Sequence, residues 1–142
     1  LPITSITVMV QKEAAERLCA QPGTRECGAV SAAVQYYAEP EILFEVSRGS
    51  FMPAPNVDSA VIRLRIRKEP PVDVHDEALF FRVIRAAFAQ RRKTAVNSIS
   101  NTLHMSKQQV TDAFEQAGVR TNSRAEALTL PEFAAIVNQL AD

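Results

Sequence analysis

Apolar and polar positions along the chain change period once. In the first half, Ile6, Val8, Met9 and Val10 form a short continuous apolar run, which predicts a strand buried on both faces. A helix is expected over 12–20, with Ala14, Ala15, Leu18 and Cys19 on one side and Glu13, Glu16 and Arg17 on the other. Gln21-Pro22-Gly23-Thr24 ends it, because proline removes a donor and glycine permits a left-handed turn. The small residues Ser31, Ala32 and Ala33 predict a closely packed helix over 29–38, closed by Tyr36, Tyr37 and then Pro40. Either tyrosine can stack on a base. Adjacent helical residues point about 100° apart, so only one can lie on a given face, and core packing is expected of at least one. A short strand is expected over 41–46. Over 57–67 the alternation is clean, with Ala60, Ile62, Leu64 and Ile66 on one face and Arg63, Arg65 and Arg67 on the other. That basic face is either solvated or in contact with phosphates.

The period then lengthens to that of helices. Lys68-Glu69-Pro70-Pro71 reads as a stiff linker and as the boundary between a first unit, 1–68, and a second, 69–142. Leu79, Phe80, Val83, Ile84, Ala87 and Phe88 make one helical stripe, with Asp76 and Glu77 at its acidic start. A second helix is expected from about Arg92, placing Val96, Ile99 and Leu103 inward. Ser106 and Gln109 have capping-box spacing and open a third helix, closed by Gly118. A single turn is expected over 124–128, and Thr129-Leu130-Pro131-Glu132 caps a last helix. The fold class is therefore α/β followed by all-α, ending in a small helical bundle.

Composition narrows the chemistry. A hydrophobic fraction of 46% and a mean hydropathy of -0.07 describe an ordinary soluble protein, with no apolar run of membrane-spanning length. Residues 1–10 lack the charged start of a signal peptide. Cys19 and Cys27 lack metal-ligand spacing, so no metal is expected, and they suit a reducing, cytoplasmic setting. His75 and His104 are read as surface residues. The loop over 25–28, with Arg25-Glu26-Cys27, promises no chemistry. Lys+Arg and Asp+Glu both number 16, so no global basic field draws in a polyanion. Positive charge is instead local, at Arg82, Arg85, Arg91, Arg92 and Lys93 beside Gln90; this corner is either solvated or an RNA contact.

Between the second and third strands lies Phe51-Met52-Pro53-Ala54-Pro55-Asn56-Val57-Asp58-Ser59-Ala60-Val61. Prolines at alternate positions predict a stiff extended loop with Pro53 and Pro55 as its scaffold. Phe51, at its start, either plugs a hydrophobic gap or presents a ring to a nucleobase. Asp58 and Ser59, where loop becomes strand, are read as turn-stabilising hydrogen-bonding residues rather than catalysts.

This segment resembles the F-x-P-x-P-x-V-D-S-A-V signature of the ribosomal RNA adenine dimethyltransferase family. Arg85-Ala86-Ala87-Phe88-Ala89-Gln90-Arg91-Arg92-Lys93-Thr94 resembles that family's R-A-A-F-A-Q-R-R-K-T segment, and Val10-Gln11-Lys12-Glu13 and Val34-Gln35-Tyr36-Tyr37 resemble two further motifs in the same order. The resemblance covers essentially the whole chain. It implies the C-terminal part of a Rossmann-like, S-adenosylmethionine-dependent methyltransferase sheet, followed by a helical domain that binds RNA. The four glycines (Gly23, Gly28, Gly49 and Gly118) have no G-x-G spacing, and the family's N-L-P-Y motif is not found. The cofactor-binding half is therefore expected to lie outside this sequence, with no cofactor-binding residue within it and no activity for these residues alone.

The reaction implied is double methylation of N6 on two adjacent adenines near the 3′ end of 16S rRNA, within the small ribosomal subunit. Phe51 is the implied base-stacking residue, needing neither metal nor covalent intermediate, and Arg82, Arg85, Gln90, Arg91, Arg92 and Lys93 are the implied RNA contacts. The parent is expected to be a cytoplasmic monomer without membrane association. Three other readings stand beside it: a non-catalytic RNA-binding or transcription-factor relative, a large-subunit methyltransferase of the antibiotic-resistance type, and a free-standing helical binding module. The last is disfavoured because the early strands need a larger sheet.

Overall fold

A computed structural model of the protein describes residues 4–25, 27–50 and 57–141. Three strands, β1 (Ser5–Gln11), β2 (Ala38–Val46) and β3 (Ser59–Ile66), form one sheet in the order β1-β3-β2. β3 runs antiparallel to both neighbours, with Val8 and Ile42 both opposite Ile62. The crossover from β1 to β2 carries α1 (Lys12–Cys19) and α2 (Ala29–Tyr37). Buried Ala15 of α1 packs on Ala60 and Ile62 of β3, with Val10, Leu18 and Leu64 closing the cluster.

Two expectations for the sheet need correction. β1 is not buried on both faces, since Ile6, Val8 and Met9 are all exposed; among the described residues, only β3 lies beside it. Its apolar run reflects a need for cover that these residues do not supply. Pro40 does not mark a gap between helix and strand. It lies inside β2, opposite Leu64, where an edge strand tolerates a residue without an N–H.

The helical part comprises α3 (Glu77–Phe88), α4 (Ala95–Leu103), α5 (Lys107–Gln116) and α6 (Leu130–Ala141), with a 3-10 turn at Ala125–Ala127. Phe80, Phe114, Phe133, Ile99 and Ile136 are fully buried at its centre. Each start has a local cause. Asp76, Thr94 and Ser106 accept from the backbone N–H three residues on. At α6, Glu132 accepts from the Thr129 N–H at 3.0 Å and the Thr129 hydroxyl accepts from the Glu132 N–H at 3.3 Å. α4 starts at Ala95 rather than near Arg92, because Thr94 is the cap and residues 91–93 form the turn before it.

The bundle core also takes in Cys27, Ala32 and Tyr36, so α2 packs against both the sheet and the helices. Tyr36 is buried at 4% exposure while Tyr37 stays 52% exposed, as expected of adjacent helical residues.

Candidate nucleic-acid interface

Three buried polar side chains set the geometry of the loops that bear charge. Ser31 on α2 donates to the Arg17 carbonyl at 2.5 Å and accepts from the Gly28 N–H at 3.1 Å. The Gln35 amide donates to the carbonyls of Leu18, at 3.2 Å, and Ala20. The carbonyls of Arg17, Leu18 and Ala20 at the end of α1 thus accept from α2, which ties the start and end of the intervening loop to that helix.

Across from it, buried Ser98 accepts from the Gln90 N–H at 3.1 Å and donates to the Ala86 carbonyl at 2.5 Å. This holds the end of α3 and the turn carrying Arg91, Arg92 and Lys93 against α4. The Gln90 side chain accepts from Asn101 at 3.1 Å, which ties it to α4. The Ser123 carbonyl also accepts from the Ala95 N–H at 2.8 Å, bringing the next residue, Arg124, to the same corner.

A cleft of about 770 Å³ separates these two walls. Arg17 and Arg25 line it from the α1–α2 side; Arg91, Arg92, Lys93 and Arg124 line it from the bundle. Three carboxylates, Glu13, Glu16 and Glu126, accompany these six cations. All six cations are exposed, and none forms an ion pair with another described residue. A protein with no net charge therefore carries a locally positive cleft, in which low-dielectric walls focus the field. Cys27 also borders it, but burial pushes its thiol up from the usual range, which opposes formation of the nucleophilic thiolate.

The other candidate residues divide. Arg85 lines a neighbouring apolar groove rather than the cleft, and Arg82 is exposed elsewhere on α3. Arg63 is paired with Glu41, its Nε at 2.8 Å, and Arg67 contacts Glu39 at 3.1 Å and the Gln35 carbonyl at 2.9 Å. Arg65 lies 3.9 Å from Glu41. The strand's basic face is thus largely neutralised within the sheet. Asp58 accepts from the Arg48 N–H at 2.9 Å and its Nε at 3.3 Å, which lowers its pKa, and Ser59 begins β3. Phe51, Pro53 and Pro55 lie outside the described residues. Sequence reasoning missed Arg17, Arg25 and Arg124: they are isolated in the chain and converge only through the Ser31, Gln35 and Ser123 hydrogen bonds.

The family model described as ribosomal RNA adenine dimethylase matches residues 1–142. The chain belongs to that family. It is 51% identical over 143 residues to the ribosomal RNA small subunit methyltransferase A of Geobacillus sp. (strain WCH70), covering 99% of this chain and 49% of that protein. To the protein of the same name from Lachnoclostridium phytofermentans it is 49% identical over 140 residues, covering 97% and 48%. The chain thus spans about half the length of the curated relatives it matches.

Among solved structures, a dimethyladenosine transferase from Plasmodium falciparum superposes with a TM-score of 0.75 at 21% identity, covering 97% of this chain and 58% of that one. The 23S rRNA methyltransferase ErmE gives 0.66 at 22%, covering 98% and 55%. These likenesses establish the fold class, part of a Rossmann-like methyltransferase sheet with a helical subdomain.

The four glycines are not spaced as in a nucleotide-binding turn. A Cβ added at Gly28 or Gly118 meets open space, Gly23 packs on Thr129, and Gly49 faces its own loop at Ser47.

Proposed function

We propose that this chain is the RNA-engaging part of an S-adenosylmethionine-dependent rRNA adenine N6,N6-dimethyltransferase. Its substrate is the small ribosomal subunit, where two adjacent adenines near the 3′ end of 16S rRNA are the targets. In this reading residues 1–68 are the end of the methyltransferase α/β domain and 69–142 the helical RNA-binding domain of a cytoplasmic, monomeric parent. Phe51 is the stacking residue for the extruded adenine, on a loop whose ends are tied by Asp58 and Arg48.

The observation that carries the reading is the cleft in which six cations, none in an ion pair with a described residue, face each other from both walls. Cations so placed bind phosphates and fix the register of the RNA without reading its bases. The cofactor supplies the methyl group; the residues described here hold and orient the RNA. In methyl-transfer assays on unmodified small subunits with the intact parent protein, R91A/R92A should raise the half-saturating subunit concentration and flatten its salt dependence. The maximal rate should change far less. An unchanged half-saturation, or no transfer by the native protein, would overturn the proposal.

A further inference from the structure

Beside the cleft, and sharing Ala29 with it, runs a second groove of about 370 Å³ between α2 and α3. Its walls are Val30, Ala33, Tyr37 and Phe81, and Arg85 closes one end. Val30 is 65% exposed and adds apolar surface to the groove. Tyr37 is exposed yet fixed. Its ring stacks on Phe81 at 5.5 Å between centroids and 20° between planes, and its hydroxyl donates to Glu77 at 2.8 Å. The ring is therefore ordered before anything binds, which removes one entropic penalty of association. Arg85 is exposed and makes no ion pair with a described residue.

We propose that this groove receives one unpaired nucleobase of the RNA held in the adjoining cleft, stacked against the Tyr37–Phe81 pair, with the phosphate of that nucleotide on Arg85. The inference rests on the cleft being an RNA site and adds a contact to bases rather than to phosphates. Three features favour this occupant. The groove adjoins the cationic cleft, since Ala29 lines both. Its end charge is complementary to a phosphate. Its walls offer small residues and a rigid aromatic face, which suit a flat ring of any sequence.

The test compares two probes on the full-length parent protein: single-stranded oligoadenylate, and inorganic polyphosphate, which carries charge but no base. Tyr37→Leu removes the stacking face at an exposed position, and Ala33→Leu fills the groove with neutral bulk while leaving Tyr37 in place. Either substitution should weaken oligoadenylate binding by about fivefold or more and leave polyphosphate binding unchanged. The double variant R91A/R92A should weaken both probes. If both groove variants bind oligoadenylate like the native protein, or lose both probes equally, the groove is not a base site, whether or not the cleft proves to be one. If they bind oligoadenylate normally but lose small subunits, the occupant is a ribosomal protein and the proposal fails. If R91A/R92A changes neither probe, the cleft reading fails, and the inference that rests on it falls too.

Discussion

Tyr37 and Glu77, the last residue of α2 and the first of α3, are joined by a hydrogen bond of 2.8 Å from the tyrosine hydroxyl to the carboxylate. The other carboxylate oxygen accepts from Tyr36 at 3.2 Å. One acidic side chain thus gathers both tyrosines, over a cluster in which Tyr36 also meets Phe80 and Phe81 at 5.1 and 5.3 Å. This junction lies at the opposite ends of α2 and α3 from Ala29 and Phe88, which line the cationic cleft.

Glu77→Ala should therefore cost about 1–3 kcal/mol, mostly from the Tyr36 hydroxyl left unsatisfied in a partly buried site, and Glu77→Gln should recover part of it. Urea unfolding midpoints measure both. The pH dependence has a definite sign. Burial first, then Glu77, raises the Tyr36 pKa; the hydrogen bond to Glu77 first, then burial, raises that of Tyr37. The folded state thus binds these protons more tightly than the unfolded chain. Their contribution is complete below the unfolded value of about 10 and is lost as pH rises through the higher folded values. Stability curves from pH 8 upward should fall more steeply for the native protein than for a Y36F/Y37F variant.

Asp58 has the opposite sign. The hydrogen bond from the Arg48 backbone N–H holds the carboxyl below the usual aspartate range; desolvation opposes it, and the Arg48 side chain and Lys12 add smaller contributions in the same direction as the backbone. Its contribution is present above the unfolded value of about 3.9 and fades as pH falls through the lower folded value. Asp58→Asn should accordingly be less stable than the native protein at neutral pH, and the two should converge in acid below about pH 4. Thermal melts from pH 7 to 3 read this directly; a gap that widens in acid would refute the assigned role.

Periodicity alone revealed nearly every element, because the helical stripes around Phe80, Val96, Val110 and Phe133 are long and each begins at a side chain able to cap. The paired state of Arg63 and Arg67 was not legible. Glu39 and Glu41 belong to another strand, and only the register that places Glu39 opposite Arg65 and Glu41 opposite Arg63 brings them together. The cleft was half legible. The run Arg91-Arg92-Lys93 marks one wall as a dense charge cluster, whereas Arg17, Arg25 and Arg124 carry no local signal and are gathered by hydrogen bonds distant in sequence. Exposure of β1 ran against its composition, because a run of apolar residues reports a requirement for cover and not its presence.

Arg124 tests how far the cleft acts as one surface. It opens the 3-10 turn at Ala125–Ala127, and its carbonyl accepts from the Ala127 N–H at 3.0 Å, so the backbone there is held without its side chain. Arg124→Ala should leave unfolding within about 0.5 kcal/mol of native. It should also lower the slope of log affinity against log salt for small subunits by about 1, as expected when one phosphate is no longer neutralised. A slope equal to the native one would remove Arg124 from the interface.

Ser98 gives the complementary case, a residue that does not line the cleft yet braces the turn that does. Its hydroxyl is fully buried and bridges the Gln90 N–H and the Ala86 carbonyl, so that both of its hydrogen bonds brace the turn before Arg91. Ser98→Ala leaves two main-chain groups without that partner in a closed site, so a loss of about 1–3 kcal/mol is expected in chemical unfolding. Without the bridge, the turn that aims Arg91, Arg92 and Lys93 is also released. RNA affinity should therefore fall at temperatures where the variant is still fully folded, while the salt slope stays near native because every cation remains. Reduced affinity with an unchanged slope separates a positioning residue from a phosphate ligand. Reduced affinity with a lower slope would mean that the turn had withdrawn its charges from the cleft altogether.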